Sequence, residues 1–305
     1  CICAYFLQNN FEVTVFDKKS PLLTILPTGG GRCNLAHAEY DFKELAKNYP
    51  RGEKFLYSVF SRFSTCETME FFEKIGVETY VQDDMRIFPS SNSSKDLREK
   101  FLNALNKVKF IKEEVLRINE GFKVVTDMGA YNADYVIIAV GGHASYELVR
   151  LLGHKIIEPR PALTGIITKE DFSKISGVSI NDVLFTHKGI SGPAVYKISS
   201  IKAREKFPYT LSFDFVGDID LQTALNKNPH KSIKNLLADY VPKSFAEFIL
   251  DNPDEKCHRI NGKMRDNILD KLQNFTVTAK GTVPDGEVVT AGGVDLKEIN
   301  PKTME

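Results

Sequence analysis

The chain has 305 residues, enough at roughly 100 to 200 residues per domain for about two domains and a sizeable core. A hydrophobic fraction of 42% with 26% charged residues is ordinary for a globular protein, and no apolar run approaches the roughly 18 to 20 residues of a membrane-spanning helix. The 40 basic side chains balance 40 acidic ones, so the overall charge supplies no attraction to nucleic acid or to an anionic bilayer, and neither partner is expected.

The cysteines Cys1, Cys3, Cys33, Cys66 and Cys257 form no C-x-x-C pair, and the histidines stand apart. The pattern predicts free thiols in a reducing compartment and no protein-held metal. The start carries no basic leader with an apolar run and cleavage site, so a cytoplasmic protein is expected.

Along the chain, Cys1 to Gln8 is apolar and predicts a buried helix, Asn9-Asn10 stops it, and Phe11 to Phe16 predicts a strand ending at Asp17. Helix, tight turn, strand and terminal acid make the second half of a dinucleotide-binding βαβ unit. There an acid about 20 residues after a glycine fingerprint accepts hydrogen bonds from a ribose. Counting back from Asp17 puts that fingerprint just before Cys1. An ordinary αβ pair carrying a surface acid fits the same residues.

The apolar run Leu22 to Leu26 then leads into Pro27-Thr28-Gly29-Gly30-Gly31-Arg32-Cys33-Asn34. Three glycines permit a backbone that turns its N–H groups toward phosphate oxygens. Arg32 adds a planar cation suited to pyrophosphate, and Asn34 both donates and accepts. Cys33 is either a thiol near a redox centre or, the reading favoured for such a loop, a small buried hydrophobe.

Tyr40 to Gly76 predicts successive amphipathic helices, Val77 to Pro89 a hairpin, and Ser93 to Leu105 a helix capped by Ser93 or Ser94. Val108 to Ile118 predicts one strand. Phe122 to Asp127 turns at Met128-Gly129 toward Tyr135 to Val140, an apolar run expected as a strand buried on both faces and closed by Gly141-Gly142. Pro159 to Pro161 marks a domain exit. Ala162 to Thr168, Val178 to His187 and Tyr209 to Val216 predict a small barrel or sandwich, and Leu221 to Asn274 a helical part.

Ser191 is expected to cap the helix carrying Ala194, Val195 and Ile198, with Gly192 and Pro193 shaping its start; His187 just before it is a candidate acid or base. No G-x-S-x-G elbow accompanies them, against a Ser-His hydrolase. Thr290, Gly292 and Gly293 either let backbone approach a planar ring or end a strand Glu287 to Thr290.

The segments PTGGGRCN (27 to 34), AVGG (139 to 142), FTHKGISGP (185 to 193) and TAGGVDLKEINPKTME (290 to 305) closely resemble the BaiN-like family of NAD(P)/FAD-dependent oxidoreductases, also labelled aminoacetone-oxidase-family flavoproteins. The resemblance covers the whole chain in order. It implies an α/β fold, a Rossmann-like FAD-binding domain with an inserted β-barrel plus helical domain. Residues 1 to 159 would form the FAD domain and 160 to 280 the inserted substrate or cap region, with a β part to about 216 and a helical part to about 275. Residues 281 to 305 would return to the FAD domain.

The resemblance also implies FAD as cofactor and NAD(P)H as co-substrate. Asp17 and Lys18 would lie at the ribose, Thr28, Gly29, Gly30, Gly31 and Arg32 at the pyrophosphate, and Cys33 and Asn34 toward the flavin. Backbone of Val115 would hold adenine, Ala139, Gly141, Gly142, Gly292 and Gly293 would lie near the cofactor, and His187 is the catalytic candidate. Two departures stand out: Val140 replaces the usual Thr, and Leu23 and Thr24 stand where the family often has a cation.

Family chains open with a strand and glycine turn and continue past K-T-M-E. This chain is therefore expected to be trimmed at both ends and to bind FAD weakly or not at all. Three functions remain: an NAD(P)H-linked reductase of a small organic substrate such as an activated C=C bond, an aminoacetone-type amine oxidase, or a nucleic-acid-associated flavoprotein with structural FAD. The last would use Lys227, Lys231, Lys234, Lys243, Lys263 and Lys271, which otherwise read as a solvated face.

Overall fold

The computed structural model describes residues 1–142, 146–283 and 289–305. It divides into two compact units, residues 1–157 with 293–305, and residues 158–292. The chain passes from one to the other within strand Ile156–Ala162 and returns within strand Val289–Val294. The return lies past the expected 280/281: strand Phe275–Thr282 belongs to the second unit's sheet, and the first unit resumes only at Gly293, inside strand Val289–Val294.

In the first unit, helix Ile2–Leu7 and the turn after it lead to strand Thr14–Phe16, which pairs in parallel with Lys109–Ile111, Val15 opposite Phe110. The Gln8 amide fixes this start by donating to Ala104 O at 2.9 Å and accepting from Lys107 N at 3.3 Å. Parallel strands need a long crossover. Here it holds helices Phe42–Lys47, Glu53–Phe60 and Thr65–Lys74, the antiparallel pair Thr79–Val81 and Arg86–Pro89, and helix Ser94–Ala104. Phe71, Phe72, Leu97, Phe101 and Leu105 bury against Ala4 and Cys33, with Val13 and Val15 packed alongside.

Two expectations for this unit fail. Val108 to Ile118 is not one strand: the parallel strand stops at Ile111, and Val115–Asn119 begins an antiparallel meander with Lys123–Thr126 and Ala130–Asn132. The break is held by Glu113, whose carboxylate accepts from Thr126 Oγ1 at 2.6 Å and from the Tyr131 hydroxyl at 2.9 Å, tying the meander back at the point of departure. Tyr135 to Val140 is not a buried strand either; Tyr135 is 77% and Ile137 58% exposed. A strand buried on both faces needs a ladder neighbour and two covering layers, and no described strand pairs with this run.

The second unit corrects the expected barrel. Its six antiparallel strands run, edge to edge, Ser179–Ile180, Val183–Thr186, Gly189–Ser191, Ile166–Thr168, Phe275–Thr282 and Tyr209–Phe213, and the two edge strands do not meet. Among the described residues the sheet is open. Helices Leu221–Lys227, Ile233–Leu237, Lys243–Ile249 and Gly262–Gln273 bring apolar side chains to the same core, so the sheet has no need to close on itself. Phe185 sits at its centre, 5.0 Å from Phe172 and 5.4 Å from Phe245 between ring centroids. Alternation in Val183–Thr186, with Val183 and Phe185 buried, puts it there.

Helix Pro193–Ile201 forms as expected but is not capped by Ser191, which ends the preceding strand and donates its hydroxyl to Tyr196. Gly192 is the N-cap, and Pro193, whose missing N–H costs nothing in a first turn, starts the helix. No described helix is long and apolar enough to cross a membrane.

Candidate cofactor site

The carboxyl ends of the two parallel strands are the edge at which open α/β sheets bind ligands. Asp17 follows the first strand, its N–H donating to Ile111 O at 3.1 Å, so the acid is held at that edge. One carboxylate oxygen accepts from Lys19 N at 2.8 Å. Lys18 pairs with Glu114 at 3.3 Å, bringing the segment just before Val115 beside the acid. Val115 itself starts the meander and does not end the parallel strand. Asp17 and Lys18 thus lie at the carboxyl end of the strand pair, and Val115 lies beyond the end of the second strand, in the meander.

The glycine loop is a second feature of this unit. Gly29, Gly30 and Gly31 have φ of 57°, 68° and 85°; Arg32 returns to the right-handed region at −95°, and Cys33 is again left-handed at 65°. A Cβ on Gly29 would lie 2.8 Å from both Asn34 N and the Phe88 ring, so packing as well as φ demands glycine there. At Gly30 and Gly31 a Cβ would meet nothing within 4 Å: the backbone faces open space in a conformation that L side chains resist. Arg32 donates from Nε to Gly29 O and lies over the Phe88 ring, 4.1 Å from its centroid. That contact fixes the guanidinium plane while its terminal nitrogens are the donors suited to phosphate oxygens. Thr28 donates to Ile25 O at 2.7 Å, and Asn34 is exposed.

Cys33 is 5% exposed in the hydrophobic core, and burial pushes its thiol up despite a hydrogen bond with Thr28. It remains a protonated, packed thiol, the bland one of its two readings.

The other candidates fall in three places. Ala139, Gly141 and Gly142 belong to the exposed run, with Gly141 at φ 78°. Tyr146, which no motif flagged, reaches the Gly141 carbonyl with its hydroxyl at 3.5 Å, and a Cβ on Gly293 would lie 3.5 Å from the same hydroxyl. Tyr146 therefore brings together two glycines that are 152 apart in sequence. Gly292 and Gly293 do not end their strand, which runs on to Val294; of the expected strand Glu287 to Thr290, residues 287 and 288 lie outside the described residues. His187 is exposed at a hairpin tip of the second unit, between strands Val183–Thr186 and Gly189–Ser191. Phe88 reads in the sequence only as part of a hairpin; its role under Arg32 has no local signal, since a cation–π pair across 56 residues has no spacing rule.

FAD fits the residues present on one direct observation: the Gly30-Gly31 backbone is open where a phosphate would approach, with a held cation next to it. The chain belongs to a Rossmann-domain family of FAD-binding oxidoreductases: residues 1–305 match the model described as HI0933-like protein Rossmann domain. Curated relatives include the ribosomal RNA dihydrouridine synthase of Escherichia coli strain K12, 26% identical over 98% of this chain and 83% of that protein. Its namesake in Haemophilus influenzae is 25% identical over 96% and 82%. The 3-dehydro-bile acid delta(4,6)-reductase of Clostridium scindens is 26% identical over 100% and 85%.

Proposed function

We propose that this protein is an FAD-dependent reductase of a carbon–carbon double bond conjugated to a carbonyl, with NAD(P)H as electron donor. The observation that carries the cofactor is the open left-handed Gly30-Gly31 backbone beside Arg32. The reaction class is supported by what the relatives' names share. Dihydrouridine differs from uridine by saturation of a ring double bond conjugated to a carbonyl, and a delta(4,6)-reductase acting on a 3-dehydro substrate also saturates carbon–carbon bonds in conjugation with a ketone.

When bound, FAD supplies hydride chemistry, and the protein supplies binding, orientation and protons. Asp17 would accept from ribose hydroxyls, the Gly29–Gly31 amides and Arg32 would hold the pyrophosphate, and Asn34 would supply a donor and an acceptor beside that loop. Saturating a conjugated double bond also requires a proton at the carbon next to the carbonyl.

The test is anaerobic mixing of the flavin-loaded protein with NADH, NADPH and a panel of small amines. Rapid loss of flavin absorbance with a nicotinamide, and its return on adding a conjugated enone, is the expected result. Bleaching by an amine with return only on oxygen would overturn the reductase in favour of the amine oxidase.

A further inference from the structure

Between Asp17 and the glycine loop runs an irregular segment, residues 18 to 27, whose own backbone does little to hold it. Leu22 is left-handed at φ 60°, and only a short 3-10 turn, Leu23–Ile25, interrupts it. Such a segment is costly to order and would lose the spacing between acid and loop if left free. Two side chains from one helix reach it. Ser94 and Arg98 are one turn apart on helix Ser94–Ala104, hence on one face. Ser94, 3% exposed, donates to Leu26 O at 2.8 Å. Arg98 donates from Nε to Pro21 O at 3.1 Å and from a terminal nitrogen to Ser20 Oγ at 2.7 Å.

Helix capping explains why Ser94 is available: Ser93 takes the cap, its hydroxyl accepting from Asp96 N, so the neighbouring hydroxyl turns to the loop. Arg98 presents a rigid planar fork to two acceptors on adjacent residues, a geometry a lysine cannot reproduce. Its neighbours in the helix, Lys95, Glu99, Leu102 and Asn103, line an open depression beside Leu26, so the face carrying the contact is wet at its rim.

We propose that Ser94 and Arg98 form a clamp that presets the spacing between Asp17 and the Gly29–Arg32 loop before any ligand arrives. They are positioning residues acting through Ser20, Pro21 and Leu26. The consequence for FAD rests on the flavin reading above; the clamp itself does not. Removing it shifts the ordering cost of residues 18 to 27 onto ligand binding and so weakens affinity without removing any group that touches the ligand.

The test is hydrogen exchange on the flavin-free 305-residue chain, wild type against Arg98→Ala, Arg98→Lys and Ser94→Ala, followed by FAD titration of each. Expected for Arg98→Ala are the hydrogen-bonded amides of Lys19 and Leu26 exchanging about tenfold faster, with residues 158–292 unchanged, and FAD affinity lower by about tenfold or more. Arg98→Lys, which keeps the charge but not the fork, should fall between, and Ser94→Ala should move the same way by less. Exchange of the Lys19 and Leu26 amides unchanged in Arg98→Ala, or equal acceleration across both units, would overturn the clamp. Exchange that accelerates while FAD affinity holds would remove its bearing on the cofactor. A wild type that takes up no FAD shows the weak binding expected of this chain, and exchange alone then decides the clamp.

Discussion

Two glycine-bearing segments, the loop 27–34 and the hairpin 185–193, differ in what they need glycine for. In the second, a Cβ on Gly189 would lie 2.2 Å from Ile166 O, and one on Gly192 would lie 2.4 Å from Asp182 O. Those glycines answer to the protein's own backbone, letting strand Gly189–Ser191 close against its neighbour and the next helix start. In the first loop only Gly29 is enclosed; Gly30 and Gly31 hold left-handed backbone against open space. Gly76 and Gly121 share that open left-handed backbone in ordinary turns; what sets Gly30-Gly31 apart is that two such residues stand in a row beside a held cation, in a conformation costing other residues about 1 to 2 kcal/mol each.

The sharpest way to break that contrast is substitution at both loops. Gly189→Ala or Gly192→Ala should destabilise the second unit by roughly 3 kcal/mol, because backbone must separate; denaturant melts read this directly. Gly30→Ala and Gly31→Ala should cost only about 1 to 2 kcal/mol but lower FAD affinity tenfold or more, since the added methyl occupies the approach. If they bind FAD like the wild type, the outward reading of the loop fails.

A smaller effect sharpens the role of Arg32. Phe88→Leu removes the ring beneath the guanidinium, worth about 0.5 to 1 kcal/mol, and should weaken FAD binding roughly two- to fivefold by titration.

Smallest is an acid effect common to both units. Backbone N–H groups of Glu44 and Lys43 hold the Asp41 carboxylate below its usual range, and bonds from Thr223 do the same for Asp220. Because folding lowers these values, their stabilisation is complete above the ordinary carboxylate range and is lost as pH falls through the lowered values, below about pH 4. Melting temperatures followed from about pH 6 to about pH 3 should show the fall, and Asp41→Asn, which keeps a cap without titrating, should make it shallower while the Asp220 share remains.

Much of the fold is legible in the sequence because the signals are local. Helix, turn and strand before Asp17, the helix capped by Ser93, and the helical stretch from Leu221 follow from periodicity and caps. The loop at Gly29–Gly31 is readable because three consecutive glycines fit neither a helix nor a strand and mark a backbone that needs positive φ. What failed depended on partners. Tyr135–Val140 is apolar enough for a buried strand, yet composition does not supply the neighbour that would cover it. Closure of a barrel is decided by whether edge strands meet, and the large aromatic core shared with the helices is not written in any one strand. Phe88 under Arg32, Tyr146 between Gly141 and Gly293, and the clamp at Arg98 join residues 56 to 152 positions apart, for which no spacing rule exists.

Arg204 has a consequence of another kind. Its guanidinium donates to the carbonyls of Glu158 and Ala291, one near each end of the second unit. An insertion whose two ends are pinned together by its own side chain does not rely on its host to bring them side by side. Residues 158–292 are accordingly expected to fold when expressed alone, and a cooperative denaturant melt of that fragment checks this.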